Sequence, residues 1–291
     1  MRAPTLRIEQ LAQAVLESGA SPDAHFKLAR ACLDHDRLVF ARDLALRLLT
    51  LDPHHGAACE LLREVYTRDP VRASAGAQVQ CSCCGGHLPT FVPGGDGLRP
   101  NARCPLCGSL ERHRFLALWL SQNLGGTRRI LHVAAELCLH AITHRTGAEV
   151  VKGDLEPRDD LIRLDVTDIQ FSEGHFDGIL CNHVLEHVPD DRRAMSELYR
   201  VLAPAGWAVL AVPIDTNRAH TYEDPSITEP EDRAVHFGQS DHVRWYGRDY
   251  AGRLREAGFT VEEFRVQEAV GADAVGAYGL DPGEWVHLCR K

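Results

Sequence analysis

The sequence predicts an α/β fold, in which a mostly parallel β-sheet is covered by helices on both faces. A four-cysteine metal-binding module and a small helical region are expected to precede it. Three observations support this. From Arg129 onward, short apolar runs alternate with helical stretches, a pattern typical of parallel sheets. Two Cys-x-x-Cys pairs stand before that point. The first part of the chain spaces its apolar residues three and four apart, as amphipathic helices do.

Length and composition set the broad class. A chain of 291 residues is larger than most single domains, so we expect a helical cap over residues 1–75, a metal-binding ribbon over 76–112 and the α/β domain over 113–291. Hydrophobic residues at 44% and charged residues at 25% exclude disordered, collagen-like and coiled-coil classes. No apolar stretch approaches the roughly 18 residues of a membrane helix, and Glu9 and Gln10 stand where a signal peptide would be apolar. We expect a cytoplasmic protein without membrane association, whose ten cysteines do not form disulfides.

Charge is distributed unevenly along the chain. The net charge is −9 and the pI is near 6.0, which argues against a general nucleic-acid binder. Residues 76–130 carry six basic and two acidic side chains, whereas residues 131–291 carry 16 and 29. The basic segment could contact an acidic partner or its own acidic neighbour.

The helical region is predicted from a run that includes Leu38, Ala41, Ala45 and Leu48 and that stops at Asp52-Pro53. A second helix is expected from Ala57 to Tyr66. Together these segments resemble a tetratricopeptide-type helix pair and its successor. Two interpretations remain open: a cap packed on the rest of the chain, or a groove that binds a protein partner.

The ribbon is predicted from Cys81, Cys84, Cys104 and Cys107, which form two Cys-x-x-Cys pairs separated by 19 residues. A glycine follows each pair, as a tight metal-binding turn requires. Four thiolates complete a tetrahedron around Zn²⁺, and a closed shell of this kind is structural. The rival ligands are Cys83 and His87, and the alternative is a set of buried cysteines without metal.

The α/β domain is predicted from five apolar runs that read as strands: RILHVA, AEVVKGD, LIRLDV, FDGILCN and WAVLAVP. Helices are expected in three stretches: ERHRFLALWL, LEHVPDDRRAMSELYRVL and RDYAGRLREAGF. Val261–Phe264 and Trp285–Cys289 would add two last strands as an antiparallel hairpin. Ligands of such sheets bind at the carboxyl ends of the strands.

One stretch indicates the family: LDVTDIQFSEGHFDGILCNHVLEHVPDDRRAMSELYRVLAPAGWAVLAVPI. It resembles the class I S-adenosylmethionine-dependent methyltransferases, in the order D-x-x-x-x-x-F, F-D, H-V-L-E-H and L-x-R-V-L-x-P-x-G. The flanking SLERHR and TYEDPSITEPEDRAVHFGQSDHVRWYG resemble a zinc-ribbon-bearing subgroup of that family, so the resemblance covers about residues 80–291. It implies a Rossmann-like methyltransferase sheet, S-adenosylmethionine as cofactor and methyltransferase activity.

The resemblance also implies roles at the strand ends. Asp154 would accept both ribose hydroxyls of the cofactor, and Asp165 would accept the adenine amino group. Asn182 would lie beside the methionine part. Neighbouring residues complete this set: Leu155, Val166 and His183. The alternative for each carboxylate is an ordinary surface position.

The first strand departs from the family pattern. The family usually has a glycine-rich turn there, whereas this chain has Ala134, Ala135 and Glu136. Alanine adds only a methyl group, but it is not expected to adopt positive φ as glycine does. Arg112 and Arg114 would then hold the cofactor carboxylate through bidentate geometry, unless they are solvated arginines on a helix face.

Methyl transfer needs mainly alignment of the acceptor with the sulfonium, and a general base is optional. Four histidines are candidate bases, although each could equally be structural: His183, His187, His220 and His242. The H-x-x-E-H match at residues 183–187 also fits an inverted metalloprotease signature. A strand that ends at the motif favours the methyltransferase.

The long irregular stretch from Ile214 to Tyr246 follows a strand whose end should face the active site, which suggests a lid or binding element. The substrate-contact candidates are Tyr222, Glu223, His236, Asp241, Arg244 and Tyr246. The other interpretation is a solvated insertion.

These observations predict S-adenosylmethionine-dependent methylation of an oxygen or nitrogen atom in a small molecule or peptide. One alternative is an RNA or protein methyltransferase that recognises its substrate through the ribbon, although the scarcity of basic side chains argues against nucleic acid. Another is an inactive cofactor-binding or scaffold protein.

Overall fold

Two compact units make up the part of the chain that the computed structural model describes, which is residues 3–17, 21–145, 147–156 and 160–291. The first unit extends to Trp119 and takes in Val270–Asp281. The second consists of Leu120–Ala269 and Pro282–Lys291.

The first unit consists of consecutive helices followed by short strands. Its elements are α1 (Ala3–Glu17), α2 (Pro22–Asp34), α3 (Leu38–Leu51), α4 (Gly56–Arg68), α5 (Pro70–Ala73), β1 (Val79–Gln80), β2 (His87–Leu88), β3 (Val92–Gly94), β4 (Arg99–Arg103) and most of α6 (Glu111–Asn123). Helices α2, α3 and α4 bury leucines such as Leu33, Leu48 and Leu62. Strand β1 pairs with β2, and β3 pairs with β4, both antiparallel. The helices predicted near Leu38 and Ala57 are present.

The second unit alternates strands and helices. Its elements are β5 (Arg129–Val133), α7 (His140–Arg145), β6 (Glu149–Asp154), β7 (Ile162–Arg163), β8 (Phe176–Asn182), α8 (Asp191–Val201), β9 (Leu202–Ala211), β10 (Tyr222–Glu223), α9 (Pro230–Phe237), β11 (Arg244–Trp245), α10 (Tyr250–Glu256), β12 (Thr260–Arg265), the start of α11 (Val266–Tyr278) and β13 (Trp285–Arg290).

Seven of the described strands form one sheet in the order β12-β13-β9-β8-β5-β6-β7. The pairs from β9 to β7 are all parallel, and β13 is antiparallel to both β9 and β12. The chain runs outward from β5 to β6 and β7, and then returns to place β8 on the other side of β5. This change of direction creates a crevice at the carboxyl ends of β5 and β8. The predicted α/β fold class, including the antiparallel last pair, is confirmed.

Two predicted elements are shorter than expected. The third strand was expected over LIRLDV, but only Ile162 and Arg163 pair, because a turn between Asp165 and Thr167 diverts the chain. The helix expected from Leu185 begins only at Asp191, because Pro189 disfavours helix before it and Asp190 caps it through a hydrogen bond from the Arg193 N–H.

The core of the second unit lies on the sheet. Consecutive residues of the central strands are buried, and those on one face, among them Leu131, Ile179 and Leu210, pack with Leu198 of α8. None of the described helices combines the length and the apolar character that a bilayer crossing requires.

Candidate functional site

Polar side chains stand at or just beyond the ends of three neighbouring strands at the crevice. Strand β5 ends at Val133, β6 at Asp154 and β8 at Asn182, and β5 lies between the other two. Because these strands are parallel, their carboxyl ends lie at one edge of the sheet.

The loop after β5 is held in a strained conformation. Ala134 has a φ of 48°, and its N–H donates to the Gly153 carbonyl at 2.8 Å. The expectation that alanine would not adopt positive φ here is therefore wrong: the hydrogen bond to β6 holds the turn that glycine usually makes, at a cost of about 1–2 kcal/mol.

The same loop carries a carboxylate into the crevice. Glu136 Oε2 lies 2.5 Å from Nε2 of His132, whose ring is fully buried, and Glu136 Oε1 is 3.4 Å from Asn182 Nδ2. The Asn182 side chain is buried, and its Oδ1 receives no hydrogen bond from the described residues. A ligand that donates a hydrogen bond would satisfy this oxygen.

The two predicted nucleoside-binding carboxylates differ in surroundings. Asp154 is partly buried at the end of β6, where its Oδ1 accepts the Glu156 N–H at 3.1 Å. Asp165 is exposed, and hydrogen bonds from the Thr167 hydroxyl and N–H lower the pKa of its carboxyl group. Both bonds use Oδ1, so Oδ2 is the oxygen that can face a ligand. Val166 beside it is buried.

Two large apolar side chains near these strand ends face solvent. Leu137 follows Glu136 and is 81% exposed, and Leu155 follows Asp154 and is 58% exposed. An aromatic ring bound against either side chain would remove apolar surface from water.

Arg114 does not fit the expected role as a ligand of a cofactor carboxylate, because its guanidinium is occupied by other groups. Arg112 and Arg114 both lie in the first unit, on α6. Arg114 is fully buried, and its guanidinium donates to four backbone carbonyls, those of Ala102, Ser109, Tyr278 and Gly279. The Phe91 ring covers its face at 3.9 Å. Arg114 therefore ties segments of the first unit together. Arg112 is half-buried on the same helix, and its role stays a prediction.

Three of the four candidate catalytic histidines lie together beyond β8. His183 has a φ of 53°, and its Nδ1 lies 3.2 Å from Glu186 Oε1. The rings of His187 and His242 are 4.7 Å apart and nearly perpendicular. His220 is exposed, and the hydrogen bonds and ring contacts of the described residues do not link it to this cluster.

Several predicted substrate contacts are structural instead. Arg244 is 3% exposed and donates to the carbonyls of Leu185, Val188 and Pro189. The Tyr246 hydroxyl, which is fully buried, donates to Asp191 at 2.8 Å. Their side chains point into the protein, so contact with substrate is not supported.

Glu223 belongs to the same ionic network. Its two oxygens accept from Arg244 at 2.8 Å and from Arg253 at 2.9 Å. Partial burial alone would raise the pKa of Glu223, but these two hydrogen bonds outweigh it and hold the pKa below its ordinary value. Arg253 also pairs with the buried Asp191 at 3.0 Å.

The remaining predicted substrate contacts are accessible. The Tyr222 hydroxyl lies 2.9 Å from His236 Nδ1, and the His236 side chain is exposed. Asp241 is 66% exposed and lies 3.3 Å from His187 Nδ1.

The four predicted metal-binding cysteines converge in the first unit. The Sγ atoms of Cys81, Cys84, Cys104 and Cys107 all lie within 4.8 Å of one another. Gly85 and Gly108 have φ values of 76° and 78°, and the N–H of each returns to the carbonyl of the first cysteine of its pair. The predicted requirement for glycine after each pair is confirmed by these angles.

Sequence reasoning missed three groups at the site. The exposure of Leu137 cannot be predicted from a single sequence. His132 stands four residues before Glu136, a spacing that signals contact only within a helix. Glu186 was visible within H-V-L-E-H, but its burial follows from the packing of the later segment.

Comparison with known proteins gives one family match, to part of the second unit. Residues 126–210 match a family described as a methyltransferase domain, and no curated protein matches the chain. The matched residues run from β5 through most of β9 and include Asp154, Asp165 and Asn182.

Solved structures with a similar arrangement include methyltransferases from several organisms. The 1,6-didemethyltoxoflavin-N1-methyltransferase of Burkholderia thailandensis, solved with S-adenosylhomocysteine, is 20% identical, with a TM-score of 0.44 over 62% of this chain and 77% of that one. A SAM-dependent methyltransferase from Archaeoglobus fulgidus is 13% identical, with a TM-score of 0.42 over 62% and 91%. An S-adenosylmethionine-dependent methyltransferase from Mesorhizobium loti is 16% identical, with a TM-score of 0.39 over 61% and 98%.

Proposed function

We propose that the protein binds S-adenosylmethionine at the carboxyl ends of β5, β6 and β8 and transfers its methyl group to an oxygen or nitrogen atom of a small molecule or peptide. The observation that carries this proposal is the pairing of Glu136 with Asn182 at the point where the sheet changes direction, inside the segment that matches the methyltransferase domain family.

The residues present fit the cofactor. The Asn182 Oδ1, buried and without a donor, and the Glu136 carboxylate suit an ammonium group that carries positive charge and several protons. The Asp154 carboxylate suits a pair of ribose hydroxyls, and the exposed side chains of Leu137 and Leu155 suit an adenine ring.

When bound, the cofactor supplies an activated methyl group on a sulfonium. The chain's own part is to align the acceptor and exclude water. His183 follows Asn182 directly and is 29% exposed, so it is placed to take a proton from a hydroxyl or amine acceptor.

We also propose that the four cysteines hold a structural Zn²⁺. Tetrahedral Zn–S bonds of 2.3 Å place sulfur atoms about 3.8 Å apart. The Cys81 and Cys107 sulfurs lie 3.6 Å apart and those of Cys84 and Cys104 lie 3.9 Å apart, which suits this geometry.

Calorimetric titration of the zinc-loaded chain with S-adenosylhomocysteine tests the cofactor site. We expect one site per chain and affinity at least tenfold weaker in Asp154→Asn, because the ribose hydroxyls lose a charged acceptor. Glu262→Gln, an exposed change of the same kind on β12, should bind like the wild type. Absence of binding in the folded wild type would refute the proposal and favour a scaffold role.

A further inference from the structure

We propose that Glu186, His187 and His242 form a binding site for a divalent transition-metal ion in the second unit, distinct from the four-cysteine site. One potential ligand atom from each of the three side chains lies within 4.8 Å of the others. That spacing is compatible with ligands around a single ion at about 2.0–2.2 Å.

Each of the two imidazole rings has an oxygen partner at Nδ1. His187 Nδ1 lies 3.3 Å from Oδ2 of Asp241 and 3.3 Å from the Asp241 carbonyl. His242 Nδ1 lies 3.0 Å from the Phe237 carbonyl. With the proton on Nδ1 of each ring, the Nε2 lone pairs would be the ligands, and a carboxylate or carbonyl partner of this kind is the usual support of a metal-binding histidine.

The buried Glu186 carboxylate is a second observation, separate from the spacing of the ligands, that indicates a bound cation. The residue is 1% exposed, and neither of its carboxylate oxygens accepts a hydrogen bond from the described residues. His183 Nδ1 is near, at 3.2 Å from Oε1, but outside hydrogen-bonding geometry. A buried carboxylate without donors is costly, and a bound cation is one of the few groups that compensates it.

The backbone around the three ligands is fixed by other contacts. The Val243 N–H donates to the Glu186 carbonyl at 2.9 Å, which joins the two segments that carry the ligands. Arg244 adds hydrogen bonds to the carbonyls of Leu185 and Val188. These contacts join the two backbone segments independently of the proposed ion.

The donor set selects the kind of metal. Two imidazoles and one carboxylate suit Zn²⁺, Fe²⁺ or Co²⁺, whereas Mg²⁺ and Ca²⁺ prefer an all-oxygen shell. Three protein ligands also leave at least one coordination position open, as in catalytic rather than structural sites.

The position of the site gives the ion a role that rests on the proposed function. Glu186 lies four residues beyond Asn182, at the end of β8 that borders the cofactor crevice. An ion there would bind the oxygen of a hydroxyl acceptor and lower its pKa. As that oxygen bonds to the methyl carbon, its proton leaves to solvent or a base, and the electron pair of the broken carbon–sulfur bond stays on the cofactor sulfur.

The test uses the full chain isolated with one equivalent of Zn²⁺ and titrated with Co²⁺, followed by calorimetry and visible absorption. We expect one further Co²⁺ to bind per chain. Its visible absorption bands should be those of Co²⁺ with nitrogen and oxygen ligands, without a thiolate charge-transfer band. No second ion, or a thiolate-type spectrum alone, would overturn the inference.

Variants locate the ion. His187→Ala, at a side chain that is 33% exposed, should weaken Co²⁺ binding about 100-fold, and Asp241→Asn about tenfold through loss of the imidazole partner. His144→Ala, an exposed histidine of the same unit, is the control and should bind like the wild type. Equal loss in the control and in His187→Ala would contradict the site.

Titration of the same variants with S-adenosylhomocysteine separates the two proposals. Normal binding of S-adenosylhomocysteine without a second metal ion would refute the metal site and leave the cofactor site standing. Binding of a second ion without binding of S-adenosylhomocysteine would refute the cofactor site and leave the metal site standing.

Discussion

At the residue scale, six of the described non-glycine residues have a positive φ, and three of these lie in the second unit. Ala134 has a φ of 48°, His183 of 53° and Ala205 of 61°. Two of them border the crevice, directly after β5 and β8. Strain of this kind persists only where surrounding contacts hold it, and it is common at functional sites.

Glycine at the first of these positions should relieve the strain. We expect Ala134→Gly to raise the free energy of unfolding by about 0.5–1 kcal/mol, because the gain from removing Cβ exceeds the added entropy of the unfolded chain. Urea denaturation measures the change. Ala205→Gly is the matched variant outside the crevice, and it should raise the free energy of unfolding by a similar amount. A destabilised Ala134→Gly would mean that its methyl group makes a contact that outweighs the strain.

His287 should make stability depend on pH. Burial lowers the pKa of this histidine from 6.5 to about 4, with a smaller opposing effect of Glu263. The unfolded chain therefore binds a proton at higher pH than the folded chain does, so stability present above pH 6.5 is lost as the pH falls toward 4.

We expect the His287 contribution to that loss to reach about 3 kcal/mol, since each pKa unit corresponds to about 1.4 kcal/mol. His287→Leu should show a shallower decline between pH 6.5 and 4 when urea midpoints are compared with those of the wild type. Parallel pH profiles of the two proteins would contradict the assignment.

At the element scale, a buried ionic network fixes the segment between β10 and α10. Asp191, at the start of α8, accepts from Arg253 at 3.0 Å and from the Tyr246 hydroxyl at 2.8 Å. Glu223 of β10 joins Arg244 to Arg253. The network holds β10, β11 and α10 against the start of α8.

Removal of its central carboxylate should be costly. Asp191→Ala leaves buried guanidinium and hydroxyl groups without their partner, so we expect a loss of about 3–5 kcal/mol in the free energy of unfolding. Glu256→Ala breaks the exposed pair with Arg192 and should cost under about 1 kcal/mol. Similar losses for the two variants, measured by urea denaturation, would show that the network contributes little.

The elements that the sequence predicted best are those whose pattern is local. Strands β5, β6 and β8 are apolar runs, and α3 shows clear helical spacing. Helix α11 was missed because Gly271 and Gly276 interrupt it and few of its side chains are buried. The roles of Arg114, Arg244 and Tyr246 depend on contacts between residues distant in sequence, which periodicity does not reveal.

Site residues divide in the same way. Asp154 and Asn182 were found because they end strands, and the four cysteines because of their spacing. The convergence of Glu186 with His242 was not predictable, because the 55 residues between them follow no pattern that gives their path.

At the scale of the whole molecule, the two compact units should respond to different ligands. The proposed zinc lies in the first unit and the proposed cofactor site in the second. Of the four tryptophans, only Trp119 belongs to the first unit, so the fluorescence of Trp119→Phe reports the second unit alone.

Removal of zinc with a chelator should destabilise the first unit, because metal binding contributes folding free energy. We expect an additional unfolding transition at lower temperature in calorimetry.

S-Adenosylhomocysteine at 100 times its Kd should stabilise the second unit by about 2.7 kcal/mol, measured by the unfolding transition in the fluorescence of Trp119→Phe. A chelator effect confined to that fluorescence signal would contradict the placement of the zinc.

The central claim is that S-adenosylmethionine binds at the carboxyl ends of β5, β6 and β8. A crystal structure of the zinc-loaded chain grown with saturating S-adenosylhomocysteine tests it most directly. The account predicts the ribose hydroxyls at Asp154 and the ammonium group at Glu136 and Asn182. A ligand bound elsewhere, or an empty crevice at saturating ligand, would contradict it.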